Sequence, residues 1–242
     1  MINRTAILFL ATFIMLGAGS VIAADEKPWK ETAEISAVST NGNSKATTIS
    51  GKNTFSYKWH RANFETNIGG LGSESNDRTT AEQYFANEKF TWDLIGRNYT
   101  FERFGWDKDR FAGIRNRYDI SAGLGRHFFD VKARNQFMLE LGGGYINEER
   151  PTPPRNEFGS GRAYGKYEFK ISETSLFSQD GEFLHNFKDS DDYRLTTISA
   201  IQVAISSNLS LKASYTWKRV GKPPVGFVRD DTTTAVALIV NY

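Results

Sequence analysis

Segments in which every second residue is apolar recur along this chain of 242 residues, and this alternation constrains the fold more than any other feature. In LSLKASYTWK, residues 209–218, leucine, alanine, tyrosine and tryptophan take one set of alternate positions, while serine, threonine and lysine take the other. Side chains of a β-strand point alternately to the two faces of a sheet. The pattern therefore predicts strands with one apolar face and one polar face.

Charged residues occupy the polar faces of two such segments. In residues 162–171 they share one set of alternate positions with Tyr164, opposite alanine, glycine, tyrosine, phenylalanine and isoleucine. An unpaired charge is costly in hydrocarbon, so this face must meet water, either in the bulk or inside a water-filled barrel. The residues interpreted as lining a lumen are Arg162, Lys166, Glu168, Lys170, Lys212 and Lys218.

The chain ends inside an alternating segment, TTTAVALIVNY, residues 232–242. Val236, Leu238, Val240 and Tyr242 form the apolar face of this segment, and the last residue is aromatic. In a transmembrane barrel the last strand closes on the first, and aromatic residues collect at the membrane interface. These four residues are therefore predicted to face lipid and to contribute to barrel assembly.

The first residues have the pattern of a signal peptide. Arg4 supplies a positive charge, residues 6–17 form an apolar stretch, and small residues lead to a plausible cleavage site after Ala23. The apolar stretch is shorter than the ~20 residues that a membrane-spanning helix needs. We expect a cleaved signal peptide at residues 1–23 and one domain at residues 24–242, exported to the bacterial outer membrane.

Turn residues separate twelve candidate strands, two of which, 80–92 and 174–186, alternate too poorly for their faces to be assigned. They cover roughly residues 30–40, 46–59, 61–74, 80–92, 97–107, 115–128, 135–148, 160–171, 174–186, 192–205, 208–220 and 231–242. The predicted fold is an all-β transmembrane antiparallel up-and-down β-barrel of about twelve strands, with ten as the next choice. Connections at the end holding both termini are short, and those at the opposite end are longer or more charged, as in bacterial outer-membrane barrels.

The five tryptophans fall into two groups near the predicted strand ends. Trp29, Trp59 and Trp92 lie near the short connections, and Trp106 and Trp217 lie near the longer ones. Tryptophan is enriched at both membrane–water interfaces. The five residues are interpreted as an aromatic girdle, and the alternative is that they fill a soluble core.

Several stretches resemble the YdiY-type family, whose members are described as salt-induced outer-membrane proteins and have no established biochemical function. The stretches are STNGNSKATTISGKNTFSYKW (39–59), RTTAEQYFANEKFTW (78–92), DRFAGIRNRYDISAGLGRHF (109–128) and SYTWKRVGKPPVGFVRDDTTTAVALIVNY (214–242). The resemblance implies an outer-membrane location and a link to salt or osmotic stress. It brings no functional residues with it.

Candidate catalytic and metal-binding groups are sparse. His60, His127 and His185 are not at metal-ligand spacing, and the chain has no cysteine. Glu182 and His185 are near each other in sequence, but their odd offset would point them to opposite faces of a strand. We therefore expect no catalytic residues, no metal site and no cofactor.

Two groups of loop charges have alternative interpretations. Asp189, Asp191 and Asp192 could hold a divalent cation, but they lack EF-hand spacing and are more simply a solvated loop. Basic residues near the outer rim either contact anionic lipid or are ordinary loop charge balanced by nearby aspartates. These basic residues are Arg110, Arg115, Arg117, Lys218, Arg219 and Lys222.

The function predicted from the sequence is passive: a narrow polar pore, or a barrel that stabilises the envelope. The alternatives are an outer-membrane enzyme acting on lipid and a soluble periplasmic barrel that binds a small ligand. Expected partners are outer-membrane lipids, lipopolysaccharide and the barrel-assembly machinery. Removing Arg4 with the leader lowers the formal net charge from +2 to +1, which gives no indication of nucleic-acid binding. The sequence leaves the oligomeric state open.

Overall fold

A computed structural model describes residues 27–40, 46–76, 78–129, 133–151 and 155–242. The signal peptide predicted at residues 1–23 lies outside this part of the chain. The strands are β1 (Trp29–Thr40), β2 (Ala46–Lys58), β3 (Ala62–Ser75), β4 (Arg78–Asp93), β5 (Asn98–Asp109), β6 (Ile114–His127), β7 (Asn135–Glu149), β8 (Asn156–Lys170), β9 (Ser175–Asn186), β10 (Tyr193–Ala204), β11 (Leu209–Val220) and β12 (Asp230–Asn241).

The twelve strands form one closed antiparallel barrel in which each strand pairs with its neighbours in the chain and β12 closes on β1. The predicted up-and-down barrel is confirmed, and the ten-strand alternative is wrong. The largest difference is at β8, which begins at Asn156 and not near residue 160. Residues 156–159 lie outside the predicted strand, because asparagine and glycine are typical of turns, but in the structure they pair with β7.

Connections at the end that holds the termini cover residues 59–61, 94–97, 128–134, 171–174 and 205–208. Those at the opposite end cover residues 41–45, 76–77, 110–113, 150–155, 187–192 and 221–229. The connection after β5 contains one turn of 3-10 helix, Arg110–Ala112, which ends at Gly113 in the left-handed conformation. Among the residues described, no helix has the length and apolar character required to cross a bilayer.

Contacts between distant strands identify which side chains face the lumen. The Lys89 amine on β4 binds the Glu140 carboxylate on β7, and the Lys212 amine on β11 binds Glu34 on β1. Neither pair of strands is adjacent, so these side chains meet across the interior. Because side chains alternate along a strand, these positions and the pairing registers fix the inward face of every strand.

Aromatic side chains of β5 lie flat against glycines of the neighbouring wall. A Cβ atom on Gly125 would lie 2.2 Å from the Tyr99 ring, and one on Gly142 would lie 2.9 Å from the Phe101 ring. The glycine-rich stretches of β6 and β7 therefore make room for rings inside the barrel. Tyr99 and Phe101 are almost completely buried as a result.

The last contact of the barrel, between β1 and β12, is short. Thr32–Ile35 pairs with Leu238–Asn241, and beyond Ile35 and Leu238 the two strands do not pair. By comparison, β11 pairs with β12 from Leu209 to Arg219.

Candidate functional site in the barrel lumen

A chain of buried ion pairs covers the middle of one wall, formed by β4, β7, β8 and β9. Glu140 is fully buried and accepts hydrogen bonds from Lys89, from the Tyr99 hydroxyl at 2.9 Å and from Arg162 at 2.9 Å. Arg162 also donates to Glu182 at 2.6 Å. Every member of this chain has an opposite charge beside it, which offsets the cost of removing the charges from water.

A second cluster lies nearer the end that holds the β7–β8 and β9–β10 connections. The Glu148 carboxylate accepts from Arg194 at 2.9 Å and from Arg150 at 2.5 Å, and Arg117 lies 3.8 Å away. Arg117 also donates to Asp107 at 2.8 Å. Beneath this cluster Ile146, Phe158 and Leu184 form an apolar core inside the barrel. This half of the wall is therefore densely filled.

The opposite wall, formed by β1–β3 and β10–β12, carries mainly small side chains on its inward face. Its main ionic contact joins Glu34 to two lysines, Lys212 at 3.0 Å and Lys52 at 3.7 Å. Hydroxyl residues that face inward on this wall include Thr32, Ser36, Thr48, Ser50, Thr54, Ser56, Thr196, Ser210, Ser214, Thr216 and Thr233. Because these side chains are short, this wall leaves the interior open beside the filled one.

Two cavities lie beside these side chains in the lumen. One of about 480 Å³ lies in the middle of the lumen and reaches from Lys52 on β2 to Thr196 on β10. Another of about 280 Å³ lies toward the end that holds the termini and is lined by residues such as Tyr99 and His127. Lys89 and Lys166 line both cavities, so the two are neighbours along the barrel axis.

The residues predicted to line the lumen have different surroundings. Arg162 is buried in the ion-pair chain, Lys166 lies 2.8 Å from Glu168, and Lys212 binds Glu34. Lys218 lies 3.9 Å from the Asp109 carboxylate. Lys170 is exposed at the last position of β8.

Sequence reasoning missed most of the acidic partners, including Glu34, Glu140, Glu148 and Glu182. Glu140 occupies a polar position in an alternating segment, and that position was its only signal. The pairing depends on which residues of distant strands lie at the same height, and no local pattern encodes this.

The residues predicted to face lipid lie on the outward side of β12 and its end. Val236 is 50% exposed and Leu238 is 42% exposed, whereas Ile239, between Leu238 and Val240, is buried in the interior. The backbone N–H of Tyr242 donates to the Glu31 carbonyl at 3.0 Å, which joins the end of the chain to β1.

The tryptophans lie toward the two ends of the barrel. Trp29 begins β1, Trp59 follows β2 and Trp92 lies near the end of β4, all at the end that holds the termini. Trp106 and Trp217 lie toward the opposite end on outward positions, where their indole nitrogens donate to Asn116 and Asp230.

The loop charges differ from their predicted arrangement. Arg117, assigned to the outer rim, turns into the lumen because it pairs with Asp107. Asp192, assigned to a solvated loop, is buried and accepts hydrogen bonds from Asn156 and Asn186.

The other two loop aspartates are held by a lysine. Asp189 and Asp191 lie 2.5 and 3.5 Å from the Lys222 amine. The hydrogen bond from Lys222 lowers the pKa of the Asp189 carboxyl. Within the described part of the chain, no group of three histidine, cysteine or acidic side chains is arranged to hold a metal ion.

The possible catalytic pair is separated by the sheet. Glu182 faces the lumen beside Arg162, whereas His185 lies on the outward face with Phe183 and Tyr193. The two side chains cannot act on one substrate from opposite sides of a strand.

Two kinds of known proteins are similar to this chain. "Uncharacterized protein YdiY" of Escherichia coli (strain K12) is 26% identical over 209 residues, which cover 84% of this chain and 78% of that protein. An outer membrane channel from Pseudomonas putida F1 matches with a TM-score of 0.52 at 10% identity, covering 94% of this chain and all of the channel. The NanC porin matches with a TM-score of 0.49 at 9% identity, covering 88% of this chain and 97% of the porin.

At 10% identity, the match to the channel structure shows a shared fold, that of an outer-membrane barrel. The resemblance to YdiY-type proteins is confirmed by the sequence match. The family model described as "Protein of unknown function, DUF481" matches residues 33–242, and the chain therefore belongs to the DUF481 family.

Proposed function

We propose that this protein is an outer-membrane barrel that lets small polar solutes pass through its lumen. The observation that carries the proposal is the unequal filling of the interior. Charged and aromatic side chains of β4–β9 fill much of the interior, and a cavity of about 480 Å³ remains beside them, between Lys52 on β2 and Thr196 on β10. A barrel of twelve strands has more interior than eight strands and less than an open porin, so any passage is narrow.

The pairing of charges determines what the passage favours. Lys166, Arg162 and Lys212 each have an acidic neighbour within 3.0 Å. A lumen with paired charges presents a weak net field, so we expect little preference between small cations and anions. Solutes with several hydroxyl groups would find hydrogen-bond partners along the threonine and serine wall.

Conductance of the purified barrel in a planar bilayer tests this proposal. Thr196 lines the central cavity, so Thr196→Trp should reduce conductance by about tenfold or more because the indole fills a passage of this width. The matched control is Thr197→Trp, whose side chain points outward beside Trp217 and should leave conductance unchanged. Equal conductance in both variants would place the conducting path elsewhere.

A second candidate is a closed barrel that stabilises the envelope. It is favoured by the cluster around Glu148 and by the apolar core of Ile146, Phe158 and Leu184, which fill part of the lumen. No conductance from folded wild-type protein, at any voltage tested, would support this role and end the pore proposal.

The proposed location is the outer membrane, reached after cleavage of residues 1–23. It is supported by the outward apolar face of β12, where Val236 and Leu238 are exposed, and by the two groups of tryptophans as an aromatic girdle. Lipid and lipopolysaccharide would surround the barrel, and the assembly machinery would recognise its last strand. Extraction with detergent from the outer-membrane fraction tests this, since recovery from the soluble periplasm would contradict it.

The proposed link to salt or osmotic stress comes from the family resemblance. Growth in high salt of a strain lacking the protein tests it, with a strain expressing Thr196→Trp as the control for passage through the lumen.

A further inference from the structure

The wall of the barrel is incomplete between β1 and β12. Pairing between these strands stops at Ile35 and Leu238. β1 continues to Thr40 and β12 begins at Asp230, but these parts pair only with β2 and β11. We call the gap between residues 36–40 and residues 230–237 the seam opening.

The two sides of the seam opening differ in polarity at its base, where the pairing of β1 with β12 stops. On the outward side, Ala37 and Val236 are exposed, next to the apolar Ile35 and Leu238. On the inward side lie short polar residues of the adjoining strands, among them Ser214, Thr216 and Thr233 on β11 and β12. At its base the opening therefore has an apolar outward side and a polar inward side, and no long inward side chain of β12 blocks it. The outward positions nearer the β11–β12 connection are polar, at Thr232 and Thr234.

Backbone groups along the seam opening need a hydrogen-bond partner. Strand edges carry free N–H and C=O groups, and such groups are not tolerated in hydrocarbon unless they line a water-filled space. The lumen beside them is polar, so water from the lumen can reach these groups. The polar head group of an amphiphile can also supply hydrogen bonds to these backbone N–H and C=O groups.

Two lysines and one carboxylate meet at the base of the seam opening. Glu34 lies next to Ile35, the last paired residue of β1, and it faces two lysines. Lys212 is 3.0 Å and Lys52 is 3.7 Å from its carboxylate, and Lys52 is 37% exposed on its side chain. One carboxylate cannot neutralise two amines, so an anionic group is favoured at this point.

We propose that the seam opening admits a single-chain amphiphile with an anionic head group. The head lies in the lumen near Lys52 and Lys212, and the hydrocarbon chain passes between β1 and β12 into the surrounding lipid. This inference rests on the proposed outer-membrane location. It adds a class of substrate, anionic amphiphiles, that would move sideways through the barrel wall, whereas small polar solutes would move along the barrel axis.

Paired cysteines test the opening itself, because the chain contains no cysteine of its own. Ala33 pairs with Val240, so the Ala33→Cys/Val240→Cys variant should form a disulfide on oxidation. If the register of Ala33 and Val240 continued by four residues along each strand, Ala37 would face Val236. An even shift preserves the type of residue pair in an antiparallel ladder, so the two cysteine pairs would have the same geometry. In the Ala37→Cys/Val236→Cys variant both thiols should remain open to maleimide labelling. A disulfide there as complete as in the control would show that the seam is closed and overturn the proposal.

Binding of fluorescent amphiphiles tests the ligand class. The barrel is placed in phosphatidylcholine vesicles with dansyl-labelled undecanoic acid, with the matching alcohol, and with the matching trimethylammonium compound. The acid should bind about tenfold more tightly than the alcohol, and the cationic probe should bind least. Equal binding of the three probes would overturn the charge assignment.

Chemical closure of the seam opening tests whether the bound probe uses this opening. A bis-maleimide reagent that bridges the thiols at positions 37 and 236 should weaken binding of the acid by about tenfold. The bridged protein should keep the conductance of the unbridged protein. Unchanged binding would place the probe elsewhere and overturn the lateral path. A barrel that never conducts but loses probe binding on bridging would end the pore proposal and leave the lateral path standing.

Discussion

Glu88 is an acidic residue on the outward face of the barrel, and its removal should stabilise the protein. The outward residues of β4 run from Tyr84 to Trp92, and Glu88 is midway between them. At about 3.3 Å per residue and a strand tilt near 40°, the two aromatic residues are separated by ~20 Å along the membrane normal, so Glu88 lies ~10 Å from each. Glu102 faces outward opposite Phe90, about 5 Å above the level of Trp92. Neither glutamate forms a hydrogen bond or ion pair with another described residue.

The depth of each carboxylate in the membrane determines how much its removal should raise the free energy of unfolding. A basic residue on the lipid face costs ~2–4 kcal/mol at the midplane and ~0–1 kcal/mol near the interfaces, and an acidic residue costs somewhat less. Glu88→Leu should therefore raise the free energy of unfolding by about 2 kcal/mol, and Glu102→Leu by roughly 1 kcal/mol or less. The matched control is Glu65→Leu, which removes an inward carboxylate at a similar height that accepts from Asn67 at 2.8 Å. It should lower the free energy of unfolding by about 1 kcal/mol.

Reversible unfolding in guanidinium chloride from lipid vesicles, followed by tryptophan fluorescence and by gel mobility, measures these differences. We expect the free energy of unfolding to be highest for Glu88→Leu and next highest for Glu102→Leu. The wild type should follow, and Glu65→Leu should have the lowest value. A destabilised Glu88→Leu protein would show that this carboxylate has a partner in lipid or in another chain, and the depth calculation would then be refuted.

Three further predictions concern the lumen and the seam. Glu140→Gln should destabilise the barrel by about 3 kcal/mol, because Lys89 and Arg162 lose a buried carboxylate, and Glu157→Gln on the outward face of β8 is the control for the same denaturation measurement. The double variant Lys166→Glu/Lys212→Glu should shift reversal potentials toward cation selectivity, because the new carboxylates lie beside Glu168 and Glu34. Unchanged reversal potentials in a normally folded variant would place both residues away from the conducting path. Leu238→Asp should reduce the heat-modifiable folded band on gels, while Ala237→Ser, facing the lumen, should not, and normal insertion of Leu238→Asp would mean that this side of β12 does not meet lipid.

The number and limits of the strands could be predicted from the sequence because alternation and turn residues are local signals. The faces of β11 and β12 were assigned for the same reason, since apolar residues recur at every second position of both strands; Ile239, on the inward face of β12, is the exception. The faces of segment 80–92 could not be assigned from the sequence, because two of its residues do not follow the rule that apolar residues face lipid and charged residues face the lumen. Phe85 faces the lumen, where its ring covers Gly69, and Glu88 faces outward. A hydropathy pattern gives the wrong face for both residues.

The contents of the lumen could not be predicted. The sequence indicated that Arg162 faces water, but the structure buries it between Glu140 and Glu182. Which charges meet depends on the stagger of strands that are far apart in sequence, and a shift of two residues would change every partner while preserving each face. The local pattern therefore specifies which side of the wall a residue takes and leaves its ionic partner open.

The short contact between β1 and β12 also has a kinetic consequence. Thr32 and Asn241, which are hydrogen-bonded across it, are 209 positions apart in sequence. Bringing such distant residues together carries a large loop-closure entropy, and here only four residue pairs offset it. Closure should be the last step of folding, and its reversal the opening of lowest free energy in the finished barrel. Backbone amides of Ile35 and Leu238 should accordingly exchange with deuterium before those in the middle of β7 and β8, where pairing extends along nearly the whole length of both strands.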